Sequence, residues 1–105
     1  MSINISSKLN SKENFWEITL EGELDVSTAE NLKDQLHKIV DENMLDVKIN
    51  LTNLEYIDST GLGVMIGVLK KLRANNKEIY ILNPRDNVNK IFKITGLDKI
   101  FKMEA

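Results

Sequence analysis

Hydrophobic and polar residues alternate along two segments near the N-terminus, which is the pattern of half-buried β-strands. Ile3 and Ile5 alternate with polar residues, and a second alternating run extends from Trp16 to Leu20. The stretch Lys8–Asn14 between the two runs is polar throughout except at Leu9. We therefore expect two antiparallel strands joined by a hairpin in this polar stretch.

A helical repeat of apolar residues follows the second run. The segment Ser27-Thr28-Ala29-Glu30 has the spacing of a capping box, in which a serine and a glutamate three residues later satisfy the first N–H groups of a helix. Asp41-Glu42-Asn43 closes the predicted helix. The apolar positions that should face the core are Val26, Ala29, Leu32, Leu36, Ile39 and Val40.

Strand and helix patterns continue to alternate in the second half of the chain. We expect a strand at Val47–Leu51, a helix from Leu62 to about Asn75, and a buried strand at Glu78–Leu82 that stops at Asn83-Pro84. Asp86 should cap a last helix, which should end in a left-handed cap at Gly96 and whose inward positions should be Val88, Ile91, Phe92 and Thr95. The segment Leu97–Phe101 should form a short helix or an edge strand.

This order of elements predicts parallel pairing through right-handed crossovers. If consecutive strands are neighbours, each crossover places its helix on the same face of the sheet. We therefore predict a single α/β domain over residues 1–105, with a mixed, mostly parallel sheet of four to five strands and helices mainly on one face. The loops that follow Leu20 and Leu51 should be near neighbours at the carboxyl ends of their strands, and Asp25, Asp58 and Ser59 lie in these loops.

The junction Tyr56–Gly63 is the most informative segment, because it joins an apolar strand to a helix. The first N–H groups of a helix have no carbonyl partners, and the helix dipole favours negative charge there. Ser59 is therefore a candidate acceptor of a phosphate group, with Thr60 as its rival. The alternative is that Asp58 or Ser59 only caps the helix.

The helix after this junction has an unusually bare outer face. Glycine inside a helix costs about 0.5–1 kcal/mol relative to alanine, so Gly63 and Gly67 in line with Ser59 suggest a smooth docking surface. The alternative is that they let another element of the same fold approach closely. The predicted buried stripe is Leu62, Met65, Ile66, Leu69 and Leu72, and the outer face is Ser59, Gly63, Gly67, Lys70 and Ala74.

Composition excludes several classes of function. The chain has 105 residues, no cysteine and a single histidine, His37, so we expect no metal site and no cofactor. Ser59 has no evident His or Lys partner and there is no Walker-type loop, so we do not expect an enzyme. The chain has a net charge of −2, and its sequence predicts no concentrated basic face, which argues against nucleic-acid binding. No apolar run reaches the ~20 residues of a membrane span, and the N-terminus lacks a secretory signal, so we expect a cytoplasmic protein without membrane attachment.

Three segments together resemble the STAS domain family, and most closely the bacterial anti-sigma factor antagonists, essentially from end to end. They are Gly22-Glu23-Leu24-Asp25, the junction Leu51–Gly63, and Ile94-Thr95-Gly96-Leu97-Asp98-Lys99-Ile100-Phe101. The middle segment is the specific one, and the other two support it.

The resemblance implies a phosphorylation-controlled partner switch. The partner would be an anti-sigma factor serine kinase with a histidine-kinase-like ATP-binding fold, which phosphorylates Ser59, and a metal-dependent serine phosphatase of the PPM type would reverse the reaction. The unphosphorylated chain would capture the anti-sigma factor and release a sigma factor, and the phosphorylated chain would dissociate. We expect the partner-binding surface to comprise Asp25, Asp58, Ser59, Thr60, Gly63 and Gly67, and the free protein to be a monomer.

Two other interpretations of the same sequence are open. The chain could be a stand-alone STAS subunit of a stressosome-like or lipid-transport assembly. It could also bind a nucleotide weakly near Asp25, Asp58 and Ser59.

Overall fold

The computed structural model describes residues 2–104, which form one five-stranded sheet and its connecting helices. The strands are β1 (Ile3–Asn10), β2 (Phe15–Leu24), β3 (Asp46–Ile57), β4 (Ile79–Leu82) and β5 (Lys102–Glu104). The helices are α1 (Ala29–Glu42), α2 (Ser59–Arg73) and α3 (Asp86–Ile94), and a short 3-10 helix spans Leu97–Lys99.

The strands lie in the sheet in the order in which they occur in the chain. β1 pairs antiparallel with β2, and every later pair is parallel. This arrangement confirms the predicted mixed, mostly parallel sheet. β1 extends to Asn10 and so takes up part of the polar stretch that we expected to be the hairpin loop. An edge strand can be polar because its ladder of backbone hydrogen bonds to β2, rather than burial of its side chains, holds it in place.

Burial alternates along the central strands, so one face of the sheet carries the core. Ile18 and Leu20 of β2 and Ile49 and Leu51 of β3 are buried. Polar residues at the intervening positions are more exposed, and on that opposite face the Lys48 ammonium lies 4.4 Å from the centre of the Phe15 ring. The helices contribute their apolar sides to the same core, which agrees with the prediction of helices mainly on one face.

The start of α1 differs from the prediction. The helix begins at Ala29 with Thr28 as its N-cap, and no side chain of residues 2–104 caps it, so the predicted capping box at Ser27 is wrong. Val26 was predicted to face the core, but its side chain is 78% exposed and lies before the helix. The reason is a hydrogen-bonded turn at Asp25, which occupies the residues that a capping box would have used.

The remaining helices agree with the sequence pattern except at single positions. In α2, Val68 is buried although we did not place it in the core, and Ile66 is only half-buried. Asp86 is the first residue of α3 rather than its cap. Gly96 has a φ of 75° after the end of α3, as expected of a left-handed cap. Thr95 was predicted inward but is exposed, and its hydroxyl donates to the Ile91 carbonyl.

The segment after Gly96 resolves one open alternative. Leu97–Lys99 is a short 3-10 helix, and the edge strand β5 comes only after Phe101. β5 pairs with β4 over three residues. We had not predicted this strand from the sequence.

Candidate phosphorylation and partner-binding site

Of the residues that the structure describes, only Asp58 caps the start of α2. Its Oδ1 atom accepts hydrogen bonds from the backbone N–H groups of Thr60, at 3.0 Å, and Gly61, at 3.1 Å. Its carbonyl accepts the next bond, from the Leu62 N–H at 3.0 Å. A carboxylate is a favourable group at this position because it meets both the unpaired N–H groups and the positive end of the helix dipole.

Ser59 is the first residue of α2 and is exposed. Within residues 2–104, no hydrogen bond engages its hydroxyl, and the N-cap position is occupied by Asp58. Of the two capping alternatives, the structure therefore assigns the cap to Asp58. Thr60 is also exposed and lies one residue further into the helix.

The carboxyl ends of β2 and β3 meet, as predicted, although both strands continue beyond the expected ends at Leu20 and Leu51, to Leu24 and Ile57. Leu24 and Ile57 are partners in the parallel pairing of these strands, and the Asp58 N–H donates to the Leu24 carbonyl at 3.2 Å. This bond joins the last residue of one strand to the cap of α2. It brings Asp25, the residue after Leu24, next to the junction that carries Ser59.

Asp25 is buried and organises its own loop. Its Oδ1 atom accepts from the Ser27 N–H at 2.9 Å and from the Ser27 hydroxyl at 2.6 Å. Its backbone N–H donates to the Thr28 hydroxyl, which in turn donates to the Glu23 carbonyl. We expected Asp25 to contact the partner, and its hydrogen bonds within residues 2–104 are those of a turn in its own loop.

These hydrogen bonds also set the ionisation of Asp25. The Ser27 hydroxyl, followed by the N–H groups of Ser27 and Thr28, stabilises the carboxylate and lowers its pKa below the ordinary value of 3.8. Burial acts in the opposite direction but is outweighed. Asp25 therefore carries a negative charge at neutral pH, close to the Ser59 junction.

Gly61 has a structural role that the sequence analysis missed. A Cβ atom at Gly61 would lie 2.4 Å from Leu24 Cγ and 3.2 Å from the Leu24 carbonyl oxygen. Only a residue without a side chain allows α2 to start this close to the end of β2. The signal in the sequence was Gly61 itself, directly after the capping segment, but its partner Leu24 is 37 positions earlier in the chain.

Gly63 and Gly67 are in a different position from Gly61. Both are exposed, and within residues 2–104 no neighbouring element lies within 4 Å of the place where a Cβ would be. The alternative that these glycines allow close packing within the fold is therefore wrong for the part of the chain that the structure describes. They form an open strip on α2 that begins at Ser59, and we call Ser59, Gly63 and Gly67 the bare face of α2.

The described residues offer little support for a metal site or a membrane-spanning helix. No group of three or more His, Cys, Asp or Glu side chains within 2–104 is arranged to hold a metal ion. His37 lies on α1, where its Nδ1 atom is 3.4 Å from the Lys71 ammonium of α2. No helix in this range is long and apolar enough to cross a membrane. A cavity of about 660 Å³ lies between α3 and β5, lined by residues such as Asn83, Asn89 and Asp98, and does not include the Ser59 junction.

A family model for the STAS domain matches residues 7–105. The chain belongs to the STAS domain family. A relative from Staphylococcus aureus, an anti-sigma-B factor antagonist, is 40% identical over 95 residues, which cover 90% of this chain and 88% of the relative. The anti-sigma-B factor antagonist of Staphylococcus epidermidis is similar to the same extent.

Solved structures of the same fold include an anti-sigma factor antagonist from Mycobacterium paratuberculosis, with a TM-score of 0.84, 23% identity, and coverage of 97% of this chain and 85% of the other. The Bacillus cell fate determinant SpoIIAA, in its phosphorylated form, has a TM-score of 0.74 and 22% identity, with coverage of 97% and 92%. At these identities the similarity establishes the fold.

Proposed function

We propose that this chain is an anti-sigma factor antagonist that binds an anti-sigma factor when Ser59 is unphosphorylated and releases it when Ser59 carries phosphate. The anti-sigma factor would be a serine kinase with a histidine-kinase-like ATP-binding fold, and a PPM-type serine phosphatase would restore the unphosphorylated form. The anti-sigma-B factor antagonists at 40% identity support the general function. Anti-sigma factor antagonists of this family are regulatory binding proteins and not enzymes.

One observation carries the proposal for Ser59. Asp58 provides the cap of α2, so the Ser59 hydroxyl is exposed and not engaged by residues 2–104. A serine that capped the helix would have to lose its hydrogen bond before it could react. Ser59 can instead be phosphorylated without any change to the capping interactions.

The consequence for binding is electrostatic. A phosphate adds about −1.5 to −2 charges beside the carboxylates of Asp58 and Asp25. A surface that fits a neutral hydroxyl would have to remove water from this uncompensated dianion. Like charges brought together at an interface cost several kcal/mol, and each ~1.4 kcal/mol weakens binding tenfold. One modification is therefore sufficient to end the interaction.

A structural change is not needed for this switch. Phosphate near the N-terminus of a helix interacts favourably with the helix dipole, so α2 should remain folded after modification. The bare face of α2 continues away from Ser59 and gives the partner a flat surface in line with the phosphoacceptor. We propose that Thr60, Gly63 and Gly67 contact the anti-sigma factor there, and that Asp25 acts through the shape and charge of its loop.

The test is a binding titration with a purified partner. The immobilised parent protein should recover a small ATP-binding kinase from the cell of origin, and calorimetry should then show tight binding of that kinase in the unphosphorylated state. Stoichiometric phosphorylation at Ser59 should weaken binding at least tenfold. Recovery of transporter or stressosome subunits in place of a kinase would contradict the proposal and support one of the other assemblies. Saturable binding of ATP or GTP to this protein alone would support a nucleotide-binding module.

A further inference from the structure

Val26 is a highly exposed apolar residue beside the candidate site. The large apolar side chains that are exposed within residues 2–104 are Leu9, Val26, Tyr56 and Ile94, and their exposed fractions are 38%, 78%, 47% and 72%. Single exposed apolar residues are common and need no special explanation. The position of Val26 makes it different, because it lies in the loop whose neighbouring strand end is bonded to the cap of α2.

The backbone on both sides of Val26 is held in place. Asp25 before it and Ser27 after it are joined by two hydrogen bonds to the same carboxylate oxygen. Thr28 adds bonds to the Asp25 N–H and to the Glu23 carbonyl. Valine has a single side-chain torsion, which branching at Cβ restricts further. Little conformational freedom would be lost when a partner covers this side chain, which favours binding.

Val26 lies within reach of the same partner as Ser59. It is two residues from Leu24, whose carbonyl accepts from the Asp58 N–H at 3.2 Å, and Ser59 follows Asp58. Adding standard backbone dimensions along this path places the Cα atoms of Val26 and Ser59 no more than about 19 Å apart. A typical interface of about 800 Å² per partner is roughly 30 Å across, so one interface can include both residues.

Val26 is a single exposed apolar side chain in a polar segment of the chain. Asp25 and Ser27 flank it directly, and Glu23 and Glu30 lie three and four positions away in the sequence. A partner can desolvate such a side chain while polar groups at the edge of the interface remain hydrated. Because one interface can include both Val26 and Ser59, we expect the protein that covers Val26 to be the anti-sigma factor.

We propose that Val26 is a contact residue for the anti-sigma factor, packing into an apolar depression on it, and that Asp25 positions this side chain. The inference rests on the proposed function and adds a second point of recognition that phosphorylation does not alter chemically. A partner would then recognise this protein by the apolar side chain of Val26 and read its phosphorylation state at Ser59.

The experiment compares Val26→Ala with Ile94→Ala against the purified anti-sigma factor by calorimetry. Ile94 is a matched control because it is similarly exposed but lies at the end of α3. If Val26 is buried on binding, its truncation should weaken the complex about tenfold. The Ile94→Ala variant should bind like the parent, and both variants should keep the parent's melting temperature.

Ser59→Asp in the same series separates the two proposals. Parent-like binding by Val26→Ala, with weakened binding by Ser59→Asp, would overturn the role of Val26 and leave the proposed function intact. Equal losses for Val26→Ala and Ile94→Ala would also overturn it, since the effect would not be local. If the parent itself does not bind the anti-sigma factor, both proposals fail together.

The positioning role of Asp25 is tested with Asp25→Asn. This substitution should weaken binding in the parent background and have less effect in the Val26→Ala background. Equal effects in both backgrounds would overturn the positioning role.

Discussion

At the scale of single residues, Asp58 and Ser59 are neighbours with separate roles. Asp58 accepts the hydrogen bonds that a helix start requires, and Ser59 is exposed with a hydroxyl that the described residues do not engage. Asp25 resembles Asp58 in accepting local N–H bonds, but it does so within a turn rather than at a helix. Sequence position alone could not distinguish these roles, because Asp and Ser are both favourable at caps and in turns.

We predict that Ser59 is the phosphoacceptor and that Thr60 is not. With the cognate kinase and ATP, Ser59→Ala should remain unmodified and Thr60→Val should be phosphorylated like the parent. The reason is that Ser59 is the first residue of α2 and lies in line with the open strip at Gly63 and Gly67, where we propose that the partner binds. Intact-mass spectrometry measures both, and stoichiometric labelling of Ser59→Ala would show that the acceptor is a different residue.

The lowered pKa of Asp25 predicts a pH dependence of stability. Its folded pKa lies below that of the unfolded chain, so the stabilising contribution is fully present above the unfolded value of about 3.9 and is lost as the pH falls through the folded pKa. Asp25→Asn should therefore be less stable than the parent at pH 7. Urea unfolding at a series of pH values should show this difference shrinking below about pH 4. A difference that stays constant down to pH 2 would mean that the charge of Asp25 is not involved.

At the scale of secondary-structure elements, the three glycines of α2 have two different environments. Gly61 is in contact with Leu24 at the end of β2, whereas Gly63 and Gly67 face away from the rest of the described fold. The same residue type thus serves packing at Gly61 and an open surface two and six residues later. The helical period predicted the outward direction of Gly63 and Gly67, and it carried no information about Leu24.

We predict opposite effects of alanine at Gly61 and at Gly67 on stability. Gly61→Ala should lower the free energy of unfolding by about 1–3 kcal/mol through overpacking, less the ~1 kcal/mol that alanine gains in helix propensity. Gly67→Ala should raise it by up to ~1 kcal/mol, because nothing opposes the added methyl group. Chemical denaturation of both variants tests this pair, and a stabilised Gly61→Ala would show that Leu24 can move aside.

Gly67→Arg tests the bare face as a binding surface. In the free protein the arginine would project into solvent, so this variant should melt no lower than the parent. It should lose binding of the anti-sigma factor, since a large charged side chain would have to be accommodated and desolvated at the interface. Retained affinity in calorimetry would place the interface elsewhere on the molecule.

At the scale of the whole molecule, the carboxyl ends of β2 and β3 bring acidic loops together. Glu23, Asp25, Glu55 and Asp58 lie in these strand ends and loops, and the first basic residue of α2 is Lys70, three turns from Ser59. A phosphate at Ser59 thus adds to charge that is already negative. The fold itself does not need to change, because its core lies on the helix-covered face of the sheet and none of these charges is part of it.

We predict that Ser59→Asp weakens binding of the anti-sigma factor at least tenfold, or ~1.4 kcal/mol, while Ser59→Ala binds nearly as well as the parent. Both variants should melt within a few degrees of the parent, since Ser59 is exposed. High salt should restore part of the affinity of Ser59→Asp because it screens the repulsion. Equal affinities of the Asp and Ala variants would refute the electrostatic mechanism.

The sequence by itself determined the outline of this fold and the position of its candidate phosphoacceptor. Alternation at β2 and β3, the apolar run at β4 and the helical periods of α1 and α2 are local signals, because each depends on residues a few positions apart. The connection of these elements by crossovers also led to the correct, mostly parallel pairing and to the meeting of the Asp25 and Ser59 loops. These features follow from general rules of chain geometry.

Only the tertiary structure decided which side chains in that outline are engaged and which are free. The turn at Asp25 replaced the expected capping box and exposed Val26. The contact of Gly61 with Leu24 and the open surroundings of Gly63 and Gly67 likewise depend on segments that are far apart in the chain. A local pattern records the direction of a side chain relative to its own helix or strand. Whether another element or solvent lies in that direction is settled only when the segments pack together.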